Sequence, residues 1–488
     1  MATSITNDPE AIRQKIVFFA YVALTCFLAF YHEPWRDEAD SWLMVRNASL
    51  REILSISPDS GHPPLWYFLL KPLAASGLPY AAQPTLHLFI AWASAWLVIF
   101  RSPFPWQISA SILFTYLFSF EYSVVARNYS LGIFGLFLYA SASGSPGKRC
   151  SITRLAGIFV MSFASLFTLI SAAILFCMES LQIHPRYRPT PRLILPGHCW
   201  AMGFAVLVST LILMPTGKGQ FSDVSFNRFI IQAPIDSLST LLMPRQSYHP
   251  LYSAACGIWL LAAGFIAMRY DRRAALFLVF SVLAVFLMFT SIHYQIEAPR
   301  YGGMIYVFAV AAMWMALTSA RQRTNDWKQN RALWGLFFVF GLAQFPDTLS
   351  VWWNEATLPF TDAGTVAIEL QKAGGNDKIV VCSPPTNCES VLLRMPQEKK
   401  FLYPGIGFGT YGLWDKTHRA ACLLSADRAI EWAKQFSGTG NIAPDGFIFI
   451  STAPLSNPES HGLRNLSFTA SKAWAVQDET FHIYTTAD

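Results

Sequence analysis

The sequence predicts a polytopic α-helical membrane protein that ends in a small α/β domain. Three observations carry that reading. The 488 residues are 53% hydrophobic and only 14% charged, where a soluble globular chain carries about 25% charged residues. Long apolar runs, punctuated by short basic loops, fill the chain as far as Pro346. Beyond that point short apolar patches alternate with glycines and polar turns. The 39 Phe and 16 Trp suit lipid-facing surfaces and interfacial belts.

The first apolar run, residues 16–31, has the length of a signal-peptide core. No small-x-small cleavage site precedes His32 and many spans follow, so the run is expected to stay as the first helix. Basic residues then mark the loops. They are Arg13 and Lys15, Arg101, then Lys148, Arg149 and Arg154, then Arg186, Arg188 and Arg192. Arg269, Arg272 and Arg273 follow, and finally Arg321, Arg323, Lys328 and Arg331. Placing all of them in the cytoplasm satisfies the positive-inside rule and puts the N-terminus there too. Residues 152–183 must then hold a hairpin, although the stretch is short for two crossings of about 20 residues each. The total comes to about eleven transmembrane helices, with the C-terminal tail outside.

The outer segments are then 32–80, 120–129, 215–250, 291–300 and everything after Pro346. In 40–54, Leu43, Leu50, Ile53 and Leu54 fall at near-helical spacing around Arg46 and Arg51, which reads as one amphipathic helix on the membrane surface. Residues 64–75 read as a second interfacial helix, with Lys71 snorkelling to the headgroups. In the tail, 362–372 reads as a helix capped by Thr361 and stopped by Gly374 and Gly375. Residues 379–382, 447–451 and 481–485 read as strands, and 426–436 as a further helix. The expected domains are therefore 1–346, including the first outer loop 32–80, and 347–488. The 8 Cys include no CxxC pair, so no zinc or iron–sulfur site is expected. Cys382 and Cys388 bracket a Pro-Pro turn and can pair if the tail is extracytoplasmic, or stay free.

Chemistry-bearing residues concentrate on the outer face. HEPWRDEADSW supplies Glu33, Arg36, Asp37, Glu38 and Asp40, and GHPPLWYFLL supplies His62. A carboxylate at the end of a membrane helix, facing a cleft, is placed to act as a general base. Partial burial raises its pKa, and a cation such as Arg36 keeps it usable as an anion. The bland alternative is a solvated loop that happens to be acidic. Glu121, Arg127 and Tyr129 lie in FEYSVVARNYSL; His293, Glu297, Arg300 and Tyr301 lie in SIHYQIEAPRYGG. Lys218, Arg228 and Arg245 lie in a long outer loop. Such cations run against the positive-inside bias. Either they pair with Glu121 or Glu297, or they bind an anionic headgroup or phosphate.

The order WRDEADSW, GHPPLWYFLL, EYSVVARNYSL, APRYGGMIYVF resembles bacterial members of the GT-C superfamily of membrane glycosyltransferases, which includes protein O-mannosyltransferases and aminoarabinose transferases. The likeness covers about the first 346 residues; the tail carries no matching motif. It implies a GT-C-like fold, a bacterial inner-membrane location with a periplasmic tail, and transfer of a sugar from a polyprenyl-phosphate-linked donor. The acceptor would be a glycan, lipid or protein hydroxyl, and no nucleic acid is expected. By this resemblance Asp37 is the catalytic base for inverting attack, and Glu38 assists. Arg127 and Arg300 would stabilise the departing phosphate, with Arg36, His62, Glu121, Tyr129, His293 and Tyr301 lining the substrate site. Asp37 and Glu38 could also hold a divalent cation through hard oxygen ligands. The alternative class is a transporter or flippase of lipid-linked sugars. It sits less well with a chain that lacks internal repeats and gathers its charges on one face.

Overall fold

Helix α1 (Pro9–Tyr31) starts where Asp8 accepts the Glu10 N–H at 3.0 Å and proline opens the first turn, where its missing N–H costs nothing. The structure is a computed structural model. It describes residues 8–144, 148–181, 197–214, 238–242, 249–292, 299–321, 331–436, 446–468, 473–475 and 481–486.

After α1 the chain does not form one surface helix to residue 54. Helix α2 (Arg36–Asn47) stops at an extended Ala48, and a reciprocal capping box between Ser49 and Glu52 starts α3 (Leu50–Ser60). Leu43 on α2 is buried in one apolar cluster with Val366 and Leu370 of the tail, whereas Leu50 and Leu54 on α3 stay exposed. The amphipathic surface helix is therefore α3, and α2 is a strut between the membrane helices and the tail. Helix α4 (Leu65–Ala75) forms as expected, but Lys71 does not reach outward. Its ammonium donates to the carbonyls of Val45 at 2.8 Å and Ala48 at 2.6 Å, closing the C-terminal end of α2.

The remaining helices before the tail are α5 (Ala82–Phe100), α6 (Trp106–Leu113), α7 (Tyr129–Ala142), α8 (Lys148–Ala164), α9 (Leu166–Ser180), α10 (Gly197–Ile212), α11 (Pro250–Tyr270), α12 (Arg272–Ile292), α13 (Pro299–Arg321) and α14 (Arg331–Thr357). A π-helical turn, Leu117–Glu121, follows α6. Residues 152–181 hold two helices, parted only at Ser165. Helices α7 and α8 touch backbone to backbone: a Cβ on Gly157 would lie 2.7 Å from the Gly135 carbonyl oxygen. Helix α13 is buried on every side from Met304 to Ala316, so it forms the axis of the bundle. Among the described residues, α1, α5, α11, α12 and α13 are long and apolar enough to cross a membrane, and several shorter apolar helices accompany them. Helix α14 runs through Pro346, so the expected boundary at 346/347 falls inside one helix.

The tail is a sheet covered on both faces. Strands β1 (Ile379–Ser383), β2 (Phe401–Tyr403), β3 (Gly407–Gly409), β4 (Phe447–Ser451), β5 (Leu463–Phe468) and β6 (His482–Thr486) lie in the order β3-β2-β1-β4-β6-β5. The central β2, β1 and β4 are parallel and the outer strands antiparallel. Strand β4 is apolar at nearly every position because neither face meets water. Ile448 and Ile450 pack towards α15 (Ala363–Lys372) and α16 (Glu389–Leu392). Phe447 and Phe449 pack towards α18 (Ala426–Phe436), which α17 (Lys416–Cys422) precedes. Helix α15 gives way to Gly374 at φ +82, a left-handed conformation that suits glycine. Cys382 and Cys388 form a disulfide.

Candidate active site

Four chain segments meet at one end of the bundle. Asp37 lies in the first turn of α2, and Arg127 lies just before α7. Its Nη1 reaches the Asp37 carboxylate at 3.1 Å and donates to the Asp37 carbonyl at 2.9 Å. Arg300, in the first turn of α13, reaches Asp37 Oδ2 at 3.3 Å through Nη2. Both guanidinium groups thus meet the same carboxylate oxygen. The side chains are only 11–13% exposed. Among the described residues these cations pair with Asp37 and not with Glu121, whose Oε2 accepts the Tyr116 hydroxyl at 2.5 Å inside the bundle.

Aromatic rings and a carbonyl fix Arg300. Its guanidinium lies 4.8 Å from the Trp35 ring centre and 5.1 Å from that of Tyr301, which stacks on Phe167. Its carbonyl accepts the Tyr122 hydroxyl at 2.7 Å. Gly303 permits that approach, since a Cβ there would come within 2.6 Å of the same hydroxyl. The fourth site segment is set by Gly61, which ends α3 at φ +68, and by Pro63 and Pro64, which lead into α4. Between them His62 places Nε2 3.4 Å from Arg127 Nη2, with its ring edge-on to Tyr129.

The electrostatics follow from this packing. Burial alone would raise the Asp37 carboxyl, but Arg127 and Arg300 outweigh it and hold the group below the usual carboxylate range. Burial and then Arg127 push His62 down to about 3, so its imidazole is neutral and can accept from Arg127. The buried Nε atoms of Arg127 and Arg300 have no hydrogen-bond partner among the described residues. Two fixed cations therefore share one anion and keep donor capacity for another.

The other sequence candidates separate. Glu38 turns away from Asp37 and is fully buried: Oε1 accepts the Ala126 N–H at 2.6 Å and Oε2 meets His32 Nε2 at 2.9 Å. The other ring nitrogen of His32 lies 2.7 Å from Glu355 Oε1, and Glu355 Oε2 accepts Trp474 Nε1 at 3.0 Å. Burial disfavours charge on His32, but Glu38 and Glu355 outweigh it and lift the imidazole to about 10. Arg36 donates to Asn387 of the tail at 3.2 Å. Tyr129 packs against His62 and Tyr301. His293 and Glu297, with Lys218, Arg228 and Arg245, lie outside the described residues. Among the described residues no three His, Cys, Asp or Glu side chains converge as a metal ion requires. A separate cavity lined by Tyr139, Glu179, Asp271, Arg273 and Ser319 lies at the opposite ends of α7 and α13.

Sequence reasoning passed over His32, Trp35 and Glu355. The first two stand beside or within the acidic motif, but a His before a Glu-Pro pair carries no distinguishing pattern. Glu355 lies 323 residues from its partner His32, in a stretch without a motif.

No protein-family profile and no curated protein matches this sequence. Solved structures do. The chain aligns with ArnT from Cupriavidus metallidurans bound to undecaprenyl phosphate at a TM-score of 0.55 and 10% identity, covering 96% of this chain and 97% of that one. The apo form of the same protein gives a TM-score of 0.55 and 11% identity, covering 97% and 98%. At such identity the likeness is one of fold. The chain therefore has an ArnT-like fold over nearly its whole length, with the small sheet domain included.

Proposed function

We propose that the protein is an integral membrane glycosyltransferase. It moves a sugar from a polyprenyl-phosphate-linked donor to an acceptor hydroxyl on the outer face, with inversion at the anomeric carbon. The observation that carries this reading is the meeting of Asp37, Arg127 and Arg300 at one carboxylate oxygen in a chain of this fold. ArnT from Cupriavidus metallidurans, which this chain resembles in fold, binds undecaprenyl phosphate, and this supports a polyprenyl phosphate as this chain's lipid.

In the proposed reaction Asp37 takes the proton of the acceptor hydroxyl as its oxygen attacks the anomeric carbon. The bond between that carbon and the phosphate oxygen breaks, and the electron pair leaves with the polyprenyl phosphate. Arg127 and Arg300, fixed beforehand in a poorly solvated site, stabilise the charge that grows there. Neutral His62 holds Arg127 in place by accepting its N–H. The tail is assigned to the extracytoplasmic side, which the basic loops and the Cys382–Cys388 disulfide both support.

The test uses purified full-length protein in liposomes, with a labelled sugar on polyprenyl phosphate and candidate outer-face acceptors. Wild type transfers label and Asp37→Asn does not. Full transfer by the purified Asp37→Asn protein would remove Asp37 as the base.

A further inference from the structure

Behind the Asp37 site lies a second ionic cluster that the proposed reaction does not use. Its centre is His32, whose side chain is 4% exposed, between the fully buried carboxylates of Glu38 and Glu355. Each ring nitrogen faces a carboxylate oxygen, at 2.9 Å and 2.7 Å. A neutral imidazole donates from only one nitrogen, so this geometry calls for an imidazolium. The remaining carboxylate oxygens are satisfied too, Glu38 Oε1 by the Ala126 N–H and Glu355 Oε2 by Trp474 Nε1. A buried ion cluster with every acceptor filled is costly to disturb.

What the cluster connects matters more than what it contributes to stability. Glu38 follows Asp37 in the first turn of α2, and its Oε2 also lies 3.4 Å from the Trp35 N–H. Trp35 is the ring on which Arg300 rests. Ala126, bonded to Glu38, precedes Arg127. Gln83 on α5 donates from Nε2 to the Glu38 carbonyl at 3.0 Å and stands 3.4 Å from the Ala126 carbonyl, crossing the same junction. Through Glu38, then, one side chain is bonded next to Asp37, next to Arg127 and next to the support of Arg300. Through His32, that side chain is tied to the end of α14 and to Trp474.

We propose that His32 and Glu355 are positioning residues for sugar transfer, clamping the first turn of α2 so that the Asp37 carboxylate meets the acceptor hydroxyl at a fixed place. The inference rests on the function proposed above. Neither residue touches Asp37, so each acts through Glu38. Attraction between the arginines and a phosphate falls off slowly with distance. Proton abstraction depends steeply on placement, and a misplacement of about 1 Å can cost on the order of 100-fold in rate. Loosening the clamp should therefore lower kcat much more than it weakens lipid phosphate binding.

The experiment measures kcat for transfer and, separately, Kd for undecaprenyl phosphate without sugar, on full-length protein that elutes as one folded species. In His32→Gln, kcat falls by about 100-fold while Kd moves by less than roughly threefold. Because His32→Gln leaves two carboxylates facing one another without a cation, adding Glu355→Gln removes one of them and raises kcat again. Wild-type kcat in folded His32→Gln overturns the inference, as does a loss in kcat matched by an equal loss in Kd. Should His32→Gln fail to fold, Glu355→Gln decides alone, since wild-type kcat in that variant also overturns it. A wild-type protein that transfers no sugar removes the proposed function, and this inference with it.

Discussion

The doubly paired Asp37 has a consequence for lipid binding that runs opposite to its consequence for catalysis. Arg127 and Arg300 are both engaged by Asp37 Oδ2, at 3.1 and 3.3 Å. A lipid phosphate must compete with that carboxylate for the same guanidinium groups. Each pair is worth roughly 4 kcal/mol of Coulomb attraction at an effective dielectric near 20, most of it offset by dehydration. Neutralising Asp37 should therefore strengthen phosphate binding by about 1.5–3 kcal/mol, or roughly 10- to 100-fold in Kd. The perturbation is Asp37→Asn, and the assay is titration with sugar-free undecaprenyl phosphate in nanodiscs. The unliganded variant should also melt lower than wild type, with two buried cations left facing an amide, and the lipid should stabilise it more than it stabilises wild type. An unchanged or weaker Kd in Asp37→Asn refutes the reasoning: the arginines would then not be the phosphate site, or the carboxylate would not compete for them.

Two other contacts give measurable expectations. Lys71→Met keeps the apolar stem of the side chain but uncaps the Val45 and Ala48 carbonyls. It should cost on the order of 2 kcal/mol in a detergent melt and leave lipid phosphate affinity unchanged; an unaltered melt would show the cap to be idle. Asp40 should give stability a pH dependence of defined sign. Burial pushes its carboxyl up from 3.8 to about 6, against the opposing hydrogen bonds from Gly412 and Trp414. A carboxyl raised on folding stabilises the fold fully only below about pH 4, and this contribution, at most roughly 3 kcal/mol, is lost as pH rises through about 6. Melts of wild type and Asp40→Ala from pH 4.5 to 8 should converge with rising pH, and divergence would reverse the assignment.

The sequence reading succeeded where local physics decides the outcome. Helix Ala426–Phe436 and strand Phe447–Ser451 appear at the residues expected, because a strong amphipathic period and an apolar run each have one outcome in a covered sheet. The short strands Phe401–Tyr403 and Gly407–Gly409 were not visible, since three residues carry no period. Residues 40–54 misled for a different reason. Leu43 and Leu50 have helical spacing, but the capping pair Ser49 and Glu52 restarts the helix between them, and Leu43 finds its partners more than 300 residues away in the tail. Lys71 looked like a snorkelling cation because spacing cannot show that carbonyls of another helix lie within reach. At the site, charges against the positive-inside bias pointed to Arg127 and Arg300. That the two share one oxygen is a three-dimensional fact no spacing encodes.

The acidic run of α2 shows how one motif can hold several devices. At 100° per residue, Asp37 and Asp40 project about 60° apart, while Glu38 points about 100° from Asp37. Carboxylates that close would repel one another if all were solvated alike. Each instead draws its partners from a different part of the chain. Asp37 has the arginines of the membrane helices, Glu38 has His32 and the Ala126 amide, and Asp40 has the Gly412 amide and the Trp414 indole. Trp414 adopts φ +57, a left-handed backbone rare for a bulky residue, and in that conformation its indole reaches Asp40. Adjacent Arg36 turns to Asn387. Two of these four consecutive-turn side chains are therefore satisfied directly by the tail, and Glu38 is tied to it through His32, Glu355 and Trp474. Removing the tail would leave Asp40 and Glu355 short of donors within a few residues of the proposed base. The sheet domain is thus part of the wall that holds the site, and α2 is the hub at which membrane helices and tail are joined.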